Sequence, residues 1–136
     1  MDELKGTSGI GAISDNEPQP LLLQSHLGSF AIVTVGKINN EESLIRYDYE
    51  NNHIHIMEKS GGRINATELT ASIITQKQSI VEGLRHAQEM IEGSMTILIL
   101  TPEGIYASRD RYGRTPVVSG RRDNAFCVSF ESFAYI

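Results

Sequence analysis

The sequence predicts a mixed α+β domain, and three patterns support this prediction. Apolar, β-prone runs flank a glycine-containing turn early in the chain, two helical stripes with capping signals follow, and the last third returns to period two. Helices in such a domain must cover the faces of a sheet. With 136 residues and 40% hydrophobic composition, the chain can form one core and is too short to suggest two. We therefore expect a single domain over residues 1–136.

The first predicted elements are a β-hairpin and a short helix. Leu21–Gln24 and Ser29–Val35 are the expected antiparallel strands, and Ser25–Gly28 is the turn between them. Asn39–Asn40 then predicts the cap of a helix that continues through Glu50.

Two further helices are predicted by capping boxes, in which a polar N-cap residue precedes a glutamate by three positions. Asn65 with Glu68 begins the first helix, and Ser79 with Glu82 begins the second. Gly93 is expected to end the second helix. Apolar residues at helical spacing should turn both helices toward the core, and these are Leu69, Ile73, Ile80, Leu84, Ala87 and Ile91.

The remaining segments are predicted strands. His53–Met57 is a short one, ended by a glycine turn. Both alternating sets of Met95–Leu100 are largely apolar, so this strand should be central and covered on both faces. Ile105–Ser108, Pro116–Ser119 and Ala125–Phe130 would complete a meander of four strands.

Composition excludes several classes of function. A formal charge of -5 and a pI near 5.3 argue against nucleic acid as a partner. No apolar run reaches membrane-spanning length and the first residues lack a signal-peptide pattern, so we expect a cytoplasmic protein with no membrane partner. The single cysteine, Cys127, excludes an intramolecular disulfide, and its place in an alternating strand predicts a buried structural thiol.

Two local patterns are weak site candidates. Arg109–Arg122 is rich in arginine and is interpreted as a solvated turn region in preference to an anion site. His53 and His55 share one face of a predicted strand, with Glu58 nearby, but two histidines are too few to hold a metal. We therefore predict neither a metal site nor a cofactor.

An ordered set of short motifs resembles the class II glutamine amidotransferase domain of amidophosphoribosyltransferases, over nearly the whole chain. The motifs are Gly9–Gly11, Glu17–Pro20, Gly36–Asn40, Thr67–Glu68, Arg109–Pro116 and Ser129–Ser132. The resemblance implies an N-terminal-nucleophile hydrolase fold, an αββα sandwich of antiparallel sheets that would be incomplete at its N-terminal side. It also implies a glutaminase that passes ammonia to a phosphoribosyltransferase domain of the parent chain, its expected partner, in purine biosynthesis.

The residues of this chain do not supply the nucleophile that the resemblance implies. The family uses an N-terminal cysteine whose own α-amine serves as base, whereas Asp2 follows Met1 here and Cys127 lies late in the chain. Cleavage between Gly6 and Thr7 would expose a threonine with a free amine. This alternative is disfavoured because the resemblance places these two residues at the entry to a strand well beyond the family's nucleophile.

The glutamine-binding positions implied by the resemblance also differ. The family's oxyanion hole is an Asn-Gly pair, and Val35-Gly36 stands there. Ala66 occupies the position of the aspartate that binds the substrate amine, and the family's arginine clamp is missing between Gly11 and Glu17. Gly36 is therefore the one predicted site residue, through its backbone N–H, and no catalytic residue is predicted.

Two hypotheses about function remain open. The chain could be a glutaminase domain fragment of an amidophosphoribosyltransferase-like enzyme, inactive alone, or a non-catalytic structural or regulatory module with the same fold. Missing N-terminal strands would leave sheet edges unpaired, so we also expect self-association into a homo-oligomer.

Overall fold

A computed structural model describes residues 6–12, 19–50, 59–60, 63–113 and 117–129. Its elements in chain order are β1 (Leu21–Ser25), β2 (Gly28–Ile38), α1 (Glu41–Glu50), β3 (Lys59–Ser60), β4 (Arg63–Ile64), α2 (Ala66–Ile74), α3 (Ile80–Met90), β5 (Gly93–Thr101), β6 (Gly104–Ser108), β7 (Val118–Arg122) and β8 (Ala125–Ser129). Every strand pair is antiparallel, so the predicted α+β class is confirmed. None of the described helices is both long and apolar enough to cross a membrane.

The largest sheet has four strands in the order β1-β2-β5-β6. The predicted hairpin is confirmed, with Ser25 opposite Gly28 at its turn. The predicted central strand is also confirmed, because β5 lies between β2 and β6 and its residues from Met95 to Ile99 are buried on both faces. Period-two apolar residues on both sides of a strand are expected when both faces of a sheet are covered.

Helices α2 and α3 begin where the capping signals place them. Asn65 Oδ1 accepts the backbone N–H groups of Thr67 at 2.9 Å and Glu68 at 3.1 Å. Ser79 Oγ accepts the N–H of Glu82 at 3.2 Å. The predicted core stripes are confirmed, since their members are buried or pack against the core, where they meet Phe30, Ile32, Met95, Ile97 and Ile99.

Helix α1 begins as predicted, but the side chain of its N-cap residue is used elsewhere. The carbonyl of Asn40 accepts Leu44 N–H at 3.1 Å, which starts the helix. The Asn40 side chain donates from Nδ2 to Met90 O at 2.8 Å and accepts Glu92 N–H at its Oδ1 at 2.9 Å. It therefore ties the end of α3 to the start of α1, where we expected a local cap.

Two predictions about the last third of the chain were wrong. The expected four-stranded meander divides, because β7 and β8 form a separate two-stranded sheet, while β5 and β6 belong to the large one. Cys127 is exposed, because the first half of β8, including Phe126, is not covered by any part of the chain that the structure describes. The prediction assumed that another part of the chain covers this strand and so buries the thiol of Cys127, which is not the case in the β7–β8 hairpin.

Smaller differences concern Gly93 and the N-terminal segment. Helix α3 ends at Met90, with Ile91 as its C-cap, so Gly93 does not end the helix. It is the first residue of β5, where a Cβ would lie 2.1 Å from Lys37 O. Described residues 6–12 include no strand, so the expectation that Gly6 and Thr7 enter one was wrong. The predicted strand His53–Met57 lies outside the described residues.

Candidate active site around Gly36

A buried hydrogen bond joins strand β2 to helix α2. Thr34 Oγ1 and Thr67 Oγ1 are 2.7 Å apart, and the two residues are only 5% and 0% exposed. On the other side of Thr34, its backbone N–H donates to Gln19 Oε1 at 2.9 Å. A buried hydroxyl without a partner would cost free energy, so this pair holds the C-terminal part of β2 against the first turn of α2.

Sequence-predicted site positions adjoin both partners of this bond in the chain. Val35 and Gly36 directly follow Thr34, and Ala66 directly precedes Thr67. Val35 is 41% exposed and Ala66 is half-buried. Neither of these two side chains carries a hydrogen-bonding group or a charge, so neither can donate a hydrogen bond to a substrate or bind an ammonium group.

Gly36 has a structural reason to be glycine. Its φ is +146°, and a Cβ there would lie 1.9 Å from Ser94 O and 2.9 Å from the Met95 Cα. These are backbone atoms of the paired strand β5, so they cannot rotate away as a side chain could. Close approach of two backbones is one of the situations that only glycine permits. Packing alone therefore accounts for the retention of this residue.

The backbone N–H of Gly36 points away from β5. Successive residues of a strand direct their hydrogen-bonding groups to opposite edges. Asn39 N–H donates to Glu92 O at 2.7 Å, so the backbone groups of odd-numbered residues in this segment point toward β5. The bond from Thr34 N–H to Gln19 shows that those of even-numbered residues point toward the β1 side. On that edge the ladder ends at the pair Leu21–Ile32. The Gly36 amide thus points to the β1 side of β2, beyond the last pair of that ladder.

The threonine that cleavage could expose does not lie near this site. Thr7 lines an open concavity of about 650 Å³ together with Ala31 and Leu100. Ala31 and Gly36 are five residues apart in β2, or roughly 16 Å at the rise of an extended strand. The structure therefore separates this candidate nucleophile from the Gly36 amide.

The other weak candidates do not join the site either. Guanidinium groups of Arg111 and Arg121 lie over the rings of Tyr112 and Phe126, at 5.9 and 5.4 Å from the ring centres. Both aromatic residues are exposed, in agreement with a solvated region. His53 and His55 lie outside the described residues. Among the residues that the structure does describe, no group of three or more His, Cys, Asp or Glu side chains could hold a metal ion.

The sequence interpretation missed Thr34 and Thr67, although a signal was present. Thr34 stands between two valines in an apolar strand, and Thr67 lies in the first turn of a predicted helix. A threonine inside an apolar run needs a hydrogen-bond partner once it is buried, so Thr34 could have been marked as half of a pair.

Comparison with known proteins identifies the family to which this chain belongs. Residues 9–134 match the glutamine amidotransferase domain family. The chain belongs to this family. Its match to solved structures includes the glutamine phosphoribosylpyrophosphate amidotransferase of B. subtilis, at a TM-score of 0.72 and 26% identity, covering 86% of this chain and 25% of that one. The amidotransferase domain therefore has the predicted N-terminal-nucleophile hydrolase fold.

Relatives with similar sequences are amidophosphoribosyltransferases. The protein from Archaeoglobus fulgidus is 27% identical over 124 residues, which are 85% of this chain and 25% of that protein. The protein from Methanothermobacter thermautotrophicus is 24% identical over 143 residues, covering 99% of this chain and 30% of that protein. The amidotransferase domain described here thus spans between a quarter and a third of the length of these relatives.

Proposed function

We propose that this chain is the glutaminase-type domain of an amidophosphoribosyltransferase-like enzyme and that its site does not hydrolyse glutamine. The observation that carries the proposal is that Val35 and Ala66, which adjoin the two partners of the Thr34–Thr67 bond in the chain, have neither a hydrogen-bonding group nor a charge in their side chains. The family resemblance implies an amide donor at the first position and a carboxylate at the second. Neither group is supplied by the residues that stand there.

The expected loss of rate is large. Removing one oxyanion-hole donor costs on the order of 100-fold to 1000-fold in rate. Replacing the carboxylate at position 66 by a methyl group leaves the substrate ammonium without its counter-charge, and ligand groups that lose their partner in a desolvated site bind poorly. The Gly36 N–H alone does not replace these two contributions, because it is a single donor and carries no negative charge.

The direct test is ammonia release from glutamine by the purified chain. We expect no more ammonia than from the heat-denatured protein. Release that depends on native protein and saturates with glutamine would overturn the proposal.

A second test addresses binding separately from chemistry. The double variant Val35→Asn/Ala66→Asp returns the implied groups to both positions, and isothermal calorimetry with glutamine should show weak binding that the unchanged chain lacks. Val81→Asn is a matched control, because Val81 is a similarly exposed valine, at 45%, in helix α3. Ordinary glutamine affinity in the unchanged chain would contradict the assignment of Val35 and Ala66 as the inactivating positions.

The proposed partner is a phosphoribosyltransferase domain. The relatives are three to four times longer than the matched region, and their names give amidophosphoribosyltransferase as the activity of the whole protein, which supports a second domain of that kind. An enzyme with a silent glutaminase domain would use free ammonia as its nitrogen source. Assays of the whole protein with ammonium chloride or glutamine should then show activity with ammonium alone.

The alternative is a non-catalytic structural or regulatory module. The observation that favours it is that Thr34 and Thr67 bond to each other beside the silent positions, so the fold is stabilised there without a ligand. Joining the upstream sequence of the whole protein to this chain separates the two hypotheses. Glutamine-dependent activity would support a glutaminase fragment that is inactive only when alone, and continued inactivity with ammonium use intact would support the module.

A further inference from the structure

The side-chain hydroxyl of Thr96 is buried without a hydrogen bond. Thr96 lies in strand β5 and is 0% exposed, and its Oγ1 has no hydrogen-bond partner in the part of the chain that the structure describes. Most buried polar atoms are paired, because an unpaired hydroxyl loses its bonds to water without replacement. Valine is also β-branched and suits a strand without this cost. The hydroxyl of Thr96 therefore needs an explanation other than strand formation.

The strand register places this hydroxyl beside position 35. Thr96 is the direct cross-strand partner of Val35, and Leu98 is that of Val33. Directly paired residues of antiparallel strands point to the same face of the sheet, with Cβ atoms about 4.5–5.5 Å apart. These three neighbours of Thr96 on β2 and β5 are apolar, so none of their side chains can pair with its hydroxyl. Of the three, only Val35 is exposed, at 41%, so a polar side chain could stand there without being buried.

A second buried threonine in the same two strands has the usual arrangement. Thr34 precedes Val35 in β2 and therefore points to the opposite face of the sheet, where its hydroxyl lies 2.7 Å from Thr67 Oγ1. Strands β2 and β5 thus hold one paired and one unpaired threonine. The unpaired one, Thr96, faces the position at which the proposed function lacks an amide donor.

We infer that Thr96 is a positioning residue of the glutamine site, whose hydroxyl orients an amide side chain at position 35. The inference rests on the proposed function, which assigns an amide donor to that position. An amide can present either its oxygen or its NH2 group, and only the NH2 group donates a hydrogen bond to an oxyanion. A bond donated by the Thr96 hydroxyl to the amide oxygen would hold that oxygen at β5 and leave the NH2 group as the free donor. With valine at position 35, the hydroxyl is retained and its acceptor is missing.

Urea denaturation of the purified chain tests whether the two positions are coupled. Thr96→Val should raise the equilibrium constant for folding by at least about threefold, because it removes an unpaired buried hydroxyl. Thr34→Val is the matched control and should lower the constant, because its hydroxyl is bonded. In the Val35→Asn background, Thr96→Val should lower the constant by about fivefold, since the introduced amide then loses its partner. The same change in both backgrounds would overturn the inference.

NMR relaxation separates positioning from packing. In Val35→Asn, the introduced side-chain NH2 group should be ordered, with an order parameter near that of rigid backbone, about 0.85. Adding Thr96→Val should lower the order parameter below about 0.6, whereas Thr96→Ser, which keeps a hydroxyl, should preserve it. Circular dichroism verifies that each variant folds. An order parameter that does not depend on the residue at position 96 would contradict the positioning role.

Failure of this inference and failure of the proposed function give different results. Saturable ammonia release from glutamine by the unchanged chain would overturn the proposed function, and with it the basis of the positioning role. No ammonia release, together with no coupling between positions 35 and 96, would overturn the positioning role alone. Neither the denaturation nor the NMR measurement requires glutamine or a nucleophile.

Discussion

The two ends of strand β2 differ in how tightly their surroundings fix them. At the C-terminal end, a Cβ on Gly36 would collide with the backbone of Ser94, and Thr34 is locked to Thr67. Toward the N-terminal end, a Cβ on Gly28 would meet nothing within 4 Å, and Leu22, which pairs with Ala31, is 85% exposed. The constrained end therefore fixes the backbone of β2, while an outward side chain such as Val35 can change without disturbing the packing.

The largest expected effect is that of Gly36→Ala. The added methyl combines backbone strain with a collision, so we expect a loss of about 3 kcal/mol or more in the free energy of unfolding, measured by urea denaturation. Gly104→Ala is the matched control, because Gly104 has a similar φ of +153° and open space around it. Its cost should be about 1–2 kcal/mol. Equal losses would show that strand contact does not constrain Gly36.

A medium effect is expected for the threonine pair. Thr34→Val and Thr67→Val should each lower the free energy of unfolding by about 1–3 kcal/mol, because each removes one partner of a buried hydrogen bond. The double variant should cost less than the sum of the two, with a coupling of about 1 kcal/mol in a double-mutant cycle. Strict additivity would mean that the bond contributes nothing.

The Asn40 bridge should contribute a little less. Asn40→Asp places a carboxylate oxygen against Met90 O, so two acceptors meet where a donor met an acceptor. We expect a loss of about 1–2 kcal/mol in thermal or urea unfolding. Asn39→Asp introduces the same charge at the adjacent, exposed residue and should leave the free energy of unfolding nearly unchanged. If both variants lose the same stability, charge and not the bridge is responsible.

The smallest effect on monomer stability is expected at the open end. Leu22→Lys should change the free energy of unfolding by less than about 0.5 kcal/mol at concentrations where the chain is monomeric, because Leu22 is exposed. Leu23→Lys in the same strand should destabilise, since Leu23 packs against the core. Similar losses in both would indicate that the edge is covered in solution.

Local signals were sufficient to predict most of the fold. Asn65 and Ser79 begin helices because a side-chain oxygen near free N–H groups is a property of a few consecutive residues. The apolar run of β5 predicted its central place because burial on both faces requires it. The assignment of Val35-Gly36 and Ala66 to a glutamine site rests on the motifs beside them and stays a prediction.

Features that depend on distant partners were not predictable in this way. The role of the Asn40 side chain depends on Met90 and Glu92, which are 50 and 52 residues away, so local pattern suggested a cap. Cys127 was expected to be buried because alternation in β8 resembles that of a covered strand. Which sheet a hairpin joins is set by tertiary packing, which periodicity does not encode.

The pairing of β2 with β5 has a consequence for biosynthesis. Ile38 pairs with Gly93 and Ala31 with Leu100, so the partners are separated by 55 and 69 positions of chain (93 minus 38 and 100 minus 31). On the ribosome, β2 is therefore made before its partner β5, and helices α1, α2 and α3 are made between them. Helices form locally and early, whereas long-range strand pairing is slow and exposes apolar surface in the meantime. During this interval the apolar residues of β2 lack their strand partner, which is when aggregation of the nascent chain is favoured.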